Sequence, residues 1–486
     1  MKISHLIPAF LIVSLVLILL LETVSTGCSE EYVYYAVIPS RIYYAEPRRI
    51  LQTIIDPTYG FEIDPRSIAT SALVSIVASQ DDTHVRVYNL SDNNLLDEAE
   101  LNAMEKTFVR LPNGTRFKVV SNRLVTVKIL GGNGEAWEGS FHLIGELDPS
   151  IREGPTSVTF YTSTDGYYVG KEFVFVASQR LIGTPYKIRA LEDAEVTITS
   201  EGGVEKSFTL QANTYRNLAL ESFKAYKVKS TGNIMVQSGA PSTRSSRSFY
   251  VPSVKGGFVG RVFYSSSITN WDPIEDSGFV ILALEDANVA IWDVKMKRVI
   301  QKFEIREGGR VAVKPKAEEI MVESDKLITF AFVHNGSYRG DRPKYGAGVA
   351  FIGVRPNEET IFFLPTNSSV QVYIFSYEDA QVKIDDVPIT VKADSFFLLT
   401  SPGTHKITSD KNIVIEVIHW PLYPSIQGIV SFSVAVPCIQ TVNLTPNVSL
   451  TPLLKEGFPM SYIAIGVGVV IAVVALGFIM MKRRTK

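Results

Sequence analysis

The sequence predicts an all-β fold made of four tandem repeats, and three observations carry that prediction. Short runs rich in β-branched and aromatic residues recur throughout, such as Phe173-Val174-Phe175-Val176-Ala177 and Phe279-Val280-Ile281-Leu282-Ala283, bounded by Gly, Pro, Asp or Asn. A motif written Leu191-Glu192-Asp193-Ala194-Glu195-Val196 returns as Leu284-Glu285-Asp286-Ala287-Asn288-Val289 and Tyr377-Glu378-Asp379-Ala380-Gln381-Val382, with Gln80-Asp81-Asp82-Thr83-His84-Val85 as a looser copy. From Asp193 to Asp286 and from Asp286 to Asp379 the period is about 93 residues, the mark of a repeat architecture. A second motif follows each copy, at Ser121-Asn122-Arg123-Leu124-Val125, Ser230-Thr231-Gly232-Asn233-Ile234, Ser324-Asp325-Lys326-Leu327-Ile328 and Ser409-Asp410-Lys411-Asn412-Ile413. In both motifs a polar cluster between apolar runs reads as a hairpin turn.

The chain opens with Lys2, an apolar run over residues 6–21 and the small residues Ser25-Thr26-Gly27, the layout of a secretory signal peptide over residues 1–27. Cleavage there leaves Cys28 first, open either to lipidation or to oxidation. Residues 28–438 form the expected ectodomain, with repeats at about 32–130, 131–238, 239–333 and 334–438. The step from the first repeat to the second is about 18 residues longer than the others, an insertion between Ser121 and Asp193. Residues 94–106 alone look helical, with Leu95, Leu96, Ala99 and Met104 on one side.

Several strands are apolar at consecutive positions, so both of their faces are covered. A lone sandwich leaves one face of each strand to water, which makes a closed, propeller-like arrangement of four units the expected architecture and four tandem β-sandwiches the alternative. The ends point the same way: 31–39 resembles 431–437, and the chain's two cysteines, Cys28 and Cys438, flank these segments. In an exported protein they most simply form one disulfide, which would latch a ring; otherwise Cys28 is lipidated or removed and Cys438 is free.

After 438, the Thr-, Asn- and Pro-bearing stretch 439–459 reads as an exposed stalk. Residues 461–481 carry no charge and are long enough to cross a bilayer as one helix. Lys482, Arg483, Arg484 and Lys486 place the tail, 482–486, in the cytoplasm, which gives a single-pass, type I cell-membrane protein with its bulk outside. Sequons begin at Asn89, Asn113, Asn335, Asn367, Asn443 and Asn447, in keeping with an external surface.

The formal net charge of −2 offers no basic field for nucleic acid. No His-Glu-x-x-His, Gly-x-Ser-x-Gly or phosphate-cradling glycine loop is present, so no catalytic residue, metal or cofactor is assigned and the chain is not expected to be an enzyme. The acidic turns could supply oxygens to Ca²⁺, but two acids per turn are too few, and an Asp accepting a backbone N–H explains them. His142, His334 and His419 fall at or beyond strand ends and read as exposed, and Arg339-Gly340-Asp341 is a tripeptide of low information.

The loops after each second motif are richer. They hold Trp137; Arg244 and Arg247; Tyr338, Arg339, Arg342 and Tyr345; and His419 and Trp420. As equivalent positions of one repeat they should emerge together, and aromatic and guanidinium groups on a rigid scaffold suit contact with a glycan or protein.

The motif pair, above all Ser248-Phe249-Tyr250-Val251-Pro252-Ser253 through Leu284-Glu285-Asp286-Ala287-Asn288-Val289 to Ser324-Asp325-Lys326-Leu327-Ile328, resembles the repeats of the IgGFc-binding protein N-terminal domain family and its prokaryotic relatives over about 32–437. The resemblance implies an extracellular β-repeat module used in surface binding or adhesion, without catalytic residues. The chain lacks the additional cysteines of the animal members and their von Willebrand-type modules. The alternative from a different class is an extracellular hydrolase acting on glycans, which needs two carboxylates about 5–10 Å apart in a cleft.

Overall fold

The computed structural model describes residues 31–40, 42–43, 54–55, 62–63, 68–131, 158–177, 186–221, 223–239, 248–269, 278–333, 338–339, 342–343, 348–365, 368–421, 429–430, 432–442 and 444–453. Residues 1–30, with Cys28, and 454–486, with the apolar run 461–481, lie outside them. Among the described residues no helix is long and apolar enough to cross a membrane.

The fold is all-β. The first unit contains β1 (Tyr32–Val37), β2 (Ser71–Ala78), β3 (Thr83–Asn89), β4 (Leu95–Leu101), β5 (Lys106–Pro112), β6 (Arg116–Ser121) and β7 (Val125–Gly131). The second contains β8 (Thr159–Phe160), β9 (Gly170–Val176), β10 (Tyr186–Ala190), β11 (Ala194–Ser200), β12 (Gly203–Leu210), β13 (Thr214–Leu218) and β14 (Ala225–Ser238). The third contains β15 (Phe249–Tyr250), β16 (Val259–Ser266), β17 (Gly278–Ala283), β18 (Ala287–Asp293), β19 (Arg298–Ile305), β20 (Arg310–Val313) and β21 (Glu319–Val333). The fourth contains β22 (Gly348–Val354), β23 (Thr360–Leu364), β24 (Ser368–Ser376), β25 (Ala380–Ile384), β26 (Val387–Val391), β27 (Ser395–Leu399), β28 (Gly403–Ser409) and β29 (Ile413–Pro421), and β30 (Phe432–Val436) follows.

The strand orders make each unit a two-sheet sandwich. In the fourth unit the sheets run β22-β29-β24-β27 and β23-β28-β25-β26. With the strands counted one to eight, these orders are 1-8-3-6 and 2-7-4-5, the pairing of a jelly roll. The second and third units repeat it, with the long strands β14 and β21 each serving as both seventh and eighth strand. The first unit has β1-β6-β3-β4 and β30-β7-β2-β5, so its first strand, β30, comes from the far end of the chain. Blades radiating as in a propeller are not what the sequence builds. The units are sandwiches, but not free beads, because unit four contacts unit one as the others contact their successors.

The hairpin reading of the two motifs also needs correction. No strand pairs back on itself across Ser324-Asp325-Lys326; β21 runs through this cluster, and in units one and four the chain passes there from one sheet to the other. The polar residues make the corner: Arg123, Lys326 and Lys411 donate their N–H groups to the hydroxyls of Ser121, Ser324 and Ser409 at 3.4, 3.3 and 3.2 Å. Both motifs then lock together, since His84, Asn288 and Gln381 donate N–H to Asn122, Asp325 and Asp410 at 2.8, 2.8 and 2.7 Å. The Asp of each acidic turn accepts a backbone N–H, though from a second turn 14 to 22 residues further on and not from its own: Ala103, Ala212, Glu307 and Ala393 donate to Asp81, Asp193, Asp286 and Asp379. The residue after each donor has a left-handed backbone, at Met104, Asn213, Gly308 and Asp394.

Residues 94–106 form no helix. β4 pairs with β3 as an edge strand, reached through a turn in which Asn89 and Asp92 accept N–H groups from Ser91 and Asn94. Ladder bonds and burial of Leu101 override the modest helix preference of Leu, Ala and Glu, and Leu95 and Leu96 stay exposed.

Burial separates the two sheets of each unit. β3, β11, β18 and β25 alternate buried and exposed residues, whereas β2, β10, β17 and β22 are buried at every position. The doubly covered sheets face the neighbouring units, as consecutive apolar positions imply.

The segment read as an exposed stalk is, over its described part, a docked strap. Ile439, Thr441, Val442, Val448 and Leu453 are buried. Gln440 accepts the N–H of Val33 in unit one, and Asn213 and Asn233 of unit two donate to the carbonyls of Thr451 and Asn447. Lys255 of unit three reaches the carbonyl of Val448 at 2.9 Å. Val442 lies against Gly353 of unit four, and Leu444 against Gly256, where an added Cβ would sit 2.2 Å from the Leu444 oxygen. Gly256 also has φ +75°. Gly256→Ala is therefore expected to lift the strap at a cost of about 1–3 kcal/mol, read as faster proteolysis within 444–453 at unchanged strand content.

Candidate functional site

The four units meet around one axis. Their first strands, β8, β15, β22 and β30, surround it and enclose a cavity of about 30 Å³ lined by residues that include Thr159, Phe160, Phe249, Tyr250, Ala350, Phe351, Val434 and Ala435. That is room for little more than water, so among the described residues the axis is packed. Each first strand enters from the loop that follows the preceding unit's last strand and leaves toward a corner touched by the strap. At the ends that flank these loops the last and first strands pair at Gly131 with Phe432, Ser238 with Thr159, Phe332 with Phe249 and His419 with Gly348, whereas the strap lies against Gly166, Gly256 and Gly353 toward the other ends of the first strands; the loops themselves lie largely outside the described residues.

Most of the predicted binding residues belong to those loops. Trp137, Arg244, Arg247 and Tyr345 lie outside the described residues. Tyr338 and Arg339 pair with Pro343 and Arg342 in a short hairpin, which makes Arg339 and Arg342 direct cross-strand partners. Trp420 belongs to β29, opposite Ser369. His419 is a correction: it is buried within β29, with Nε2 3.1 Å from the Ser248 hydroxyl, because the strand extends three residues further than the apolar run suggested. Among the sequon asparagines, Asn447 is exposed, Asn89 and Asn113 are half-buried, and Asn335, Asn367 and Asn443 lie outside the described residues.

Buried charge sits at the seams, which sequence reasoning missed. One position of each unit's last strand, Lys128, Gln237, Ala331 and Glu416 in turn, faces the next unit. Lys128 is fully buried against the Tyr161 hydroxyl, and burial holds its ammonium well below the usual lysine range. Gln237 Oε1 accepts the N–H of Ser266 at 3.2 Å. Glu416 Oε2 accepts the N–H of Val37 at 2.6 Å, closing unit four on unit one, and burial pushes its carboxyl well above the usual range. The third seam uses Tyr250 instead, whose hydroxyl donates to the Phe363 carbonyl at 3.1 Å. Between units two and three, Glu319 takes Lys187 and, at 2.5 Å, Arg189 Nε. The one available signal was Lys128 and Glu416 standing in otherwise apolar runs.

Glu416 yields a pH prediction. Its folded carboxyl keeps a proton that the unfolded one, near 4.5, has lost, so its contribution to stability is complete below that pH and falls as pH rises. Glu416→Gln keeps the acceptor for Val37 without the ionisation. The variant is expected to show a flatter decline of melting temperature between pH 5 and 8 than the native chain, while Glu416→Ala costs about 1–3 kcal/mol near pH 5 and progressively less toward pH 8, as the native chain loses the contribution of its protonated carboxyl.

The expected disulfide between Cys28 and Cys438 falls on a residue, Cys28, outside the described ones; among the described residues Cys438 is a buried thiol whose Sγ donates to Gln440 Oε1 at 3.2 Å, and burial pushes its pKa up to about 11. It faces Tyr34 across an isolated bridge that repeats the bridge between Ser253 and Phe263 in unit three. The ends of the chain are thus joined by strand pairing at this point, with Cys438 in a serine's place. Among the described residues no three His, Cys, Asp or Glu side chains group closely enough to hold a metal.

No family model matches the chain, and no curated protein matches it. Solved structures give faint likenesses. Oxalate decarboxylase from Bacillus subtilis at pH 4.6 aligns with 73% of this chain and 75% of its own at 8% identity and a TM-score of 0.15. A variant of the same enzyme aligns with 64% and 71% at 10% identity and a TM-score of 0.12. Vicilin from Solanum lycopersicum aligns with 61% of this chain and 80% of its own at 8% identity and a TM-score of 0.14. Scores this low establish neither a shared fold nor an activity.

Proposed function

We propose that the protein is a membrane-anchored cell-surface module that binds a protein, glycan or envelope component through the loop end of its axis. The observation that supports this reading is the polarity of the described strand ends: those flanking the four variable loops lie opposite the corners that the strap touches, and in sequence the strap precedes the apolar run 461–481. Rigid sandwiches locked by seams and a strap suit a platform that presents loops, since little conformational freedom is lost when a partner is bound. The resemblance to the IgGFc-binding protein N-terminal domain points to the same class.

The hydrolase alternative gains less. A retaining or inverting glycosidase needs a carboxyl held protonated as general acid. Asp325, in the carboxylate-lined hollow described below, is instead held under its ordinary range by the side-chain and backbone N–H groups of Asn288.

The test uses the full-length chain displayed on cells. A reporter fused at Lys486 is expected to stay inside while an epitope in the repeats is cut by added protease; the reverse orientation defeats the reading. Replacing Tyr338, Arg339 and Arg342 together by alanine is expected to lower retention of cells on the partner found by protein and glycan arrays at least tenfold, with the melting temperature unchanged. Retention that survives these changes and Arg244→Ala with Arg247→Ala removes the loop end from consideration.

A further inference from the structure

We infer that the solvent-facing sheet of the third unit carries a separate site for a neutral glycan. The four units provide an internal comparison. On the fourth strand of the solvent-facing sheets, the outward residues at two successive places are Arg86 and Tyr88, Thr197 and Thr199, and Ala290 and Trp292, while in unit four Lys383 holds the first place and the strand ends at Ile384, before the second. In unit one the Arg86 guanidinium lies 6.0 Å from the Tyr88 ring centre, so long side chains cover that face. In unit three the central place is alanine, and an open hollow of about 850 Å³ stands over it. That volume falls within the range of about 300–1,000 Å³ common to ligand clefts.

The strand register places two rows in the hollow. Lys302, Ala290 and Glu323 form one, and Glu304, Asn288 and Asp325 the other. Trp292 stands beside them, half-buried, with its indole N–H on Glu323 Oε2 at 3.1 Å. The ring is therefore fixed before any ligand arrives. Among the described residues Lys302 and Glu304 have no ion-pair partner, which leaves their polar atoms available.

The chemistry is that of saccharide recognition. A fixed indole offers a flat apolar surface to the C–H face of a pyranose, while carboxylate oxygens, the Asn288 amide and the Lys302 ammonium can take up hydroxyl groups. Three carboxylates against one ammonium make the hollow negative, so sialylated, uronic or sulfated glycans are repelled. The ligand class is thus a neutral hexose- or N-acetylhexosamine-bearing oligosaccharide.

The experiment applies the full-length chain in detergent to an array of neutral and acidic oligosaccharides, followed by titration of each glycan retained. Neutral glycans are expected to be retained and returned uncleaved. Ala290→Arg, which installs the side chain unit one carries there, and Trp292→Ala should each lower affinity at least tenfold without moving the melting temperature, whereas the Tyr338, Arg339 and Arg342 triple change should leave it alone. Retention of acidic glycans only, absence of any neutral glycan, or retention lost with the loop change but surviving Ala290→Arg and Trp292→Ala overturns the inference. The last of these outcomes would leave the loop-end reading standing.

Discussion

A chain ended after Pro421 is expected to lose its first unit. Such a chain lacks β30 and the strap, and with them the buried side chains of Phe432, Val434, Val436, Ile439, Val442, Val448 and Leu453. At about 1.5–3 kcal/mol for each buried side chain of this size, the loss is about 10 kcal/mol or more, comparable with the whole stability of an ordinary domain. The unfilled edge is that of β7, which pairs with β30 from Val127 to Gly131. Calorimetry should show one early transition for unit one ahead of the remainder, and a synthetic peptide covering 429–453 added in trans should restore it. A truncated chain that melts like the intact one would mean that β30 closes nothing. The single change Phe432→Ala samples the same closure at about 3–5 kcal/mol, because the ring lies directly over Gly131, where no other residue leaves it space.

Removing the buried carboxylate between units two and three should be nearly as severe. Glu319 is 1% exposed and is the ion-pair partner of both Lys187 and Arg189, which are themselves 8% and 3% exposed. Glu319→Ala leaves two cations buried without their partner, and breaking a buried pair in this way costs about 3–5 kcal/mol. Replacing all three residues by apolar ones of similar volume should cost far less, because the desolvation of the charges disappears together with their attraction. Melting temperatures of the single and triple variants decide the matter. If the single variant alone is benign, the cluster is wet in solution and the seam is held by Tyr264 and Asn213, whose hydrogen bond is 2.7 Å.

Much of this architecture was legible because the determinants were local. The β-branched runs, the acidic turns, about 93 residues apart in the last three units, and the serine-led corners that follow each of them recur in one order, and so the strands and the four units could be read directly. Hairpins were inferred where corners exist, since a polar cluster permits a change of direction without saying whether the chain returns along its own sheet or enters the facing one. That choice depends on partners far away in the chain, such as β9 and β11 flanking the first half of β14 while β8 and β10 flank the second. The stretch around Leu95 was misread for a related reason: its helical periodicity is genuine, and only the presence of β3 decides against it. The hollow at Ala290 was invisible in the sequence, because a small residue in a strand becomes informative only when the side chains across the sheet are known.

The closure of unit one by β30 has a consequence for biosynthesis. Seven of that unit's strands leave the ribosome by Gly131, yet the eighth is not made until about 300 residues later. At about 5–20 residues per second this is a wait of roughly 15 to 60 s, during which β7 presents an unpaired apolar edge. The unit translated first is the one completed last, and only a finished chain can hide that edge. An interrupted product is thereby distinguishable from a whole one by its surface alone, which gives quality-control factors a sticky strand to hold until synthesis ends.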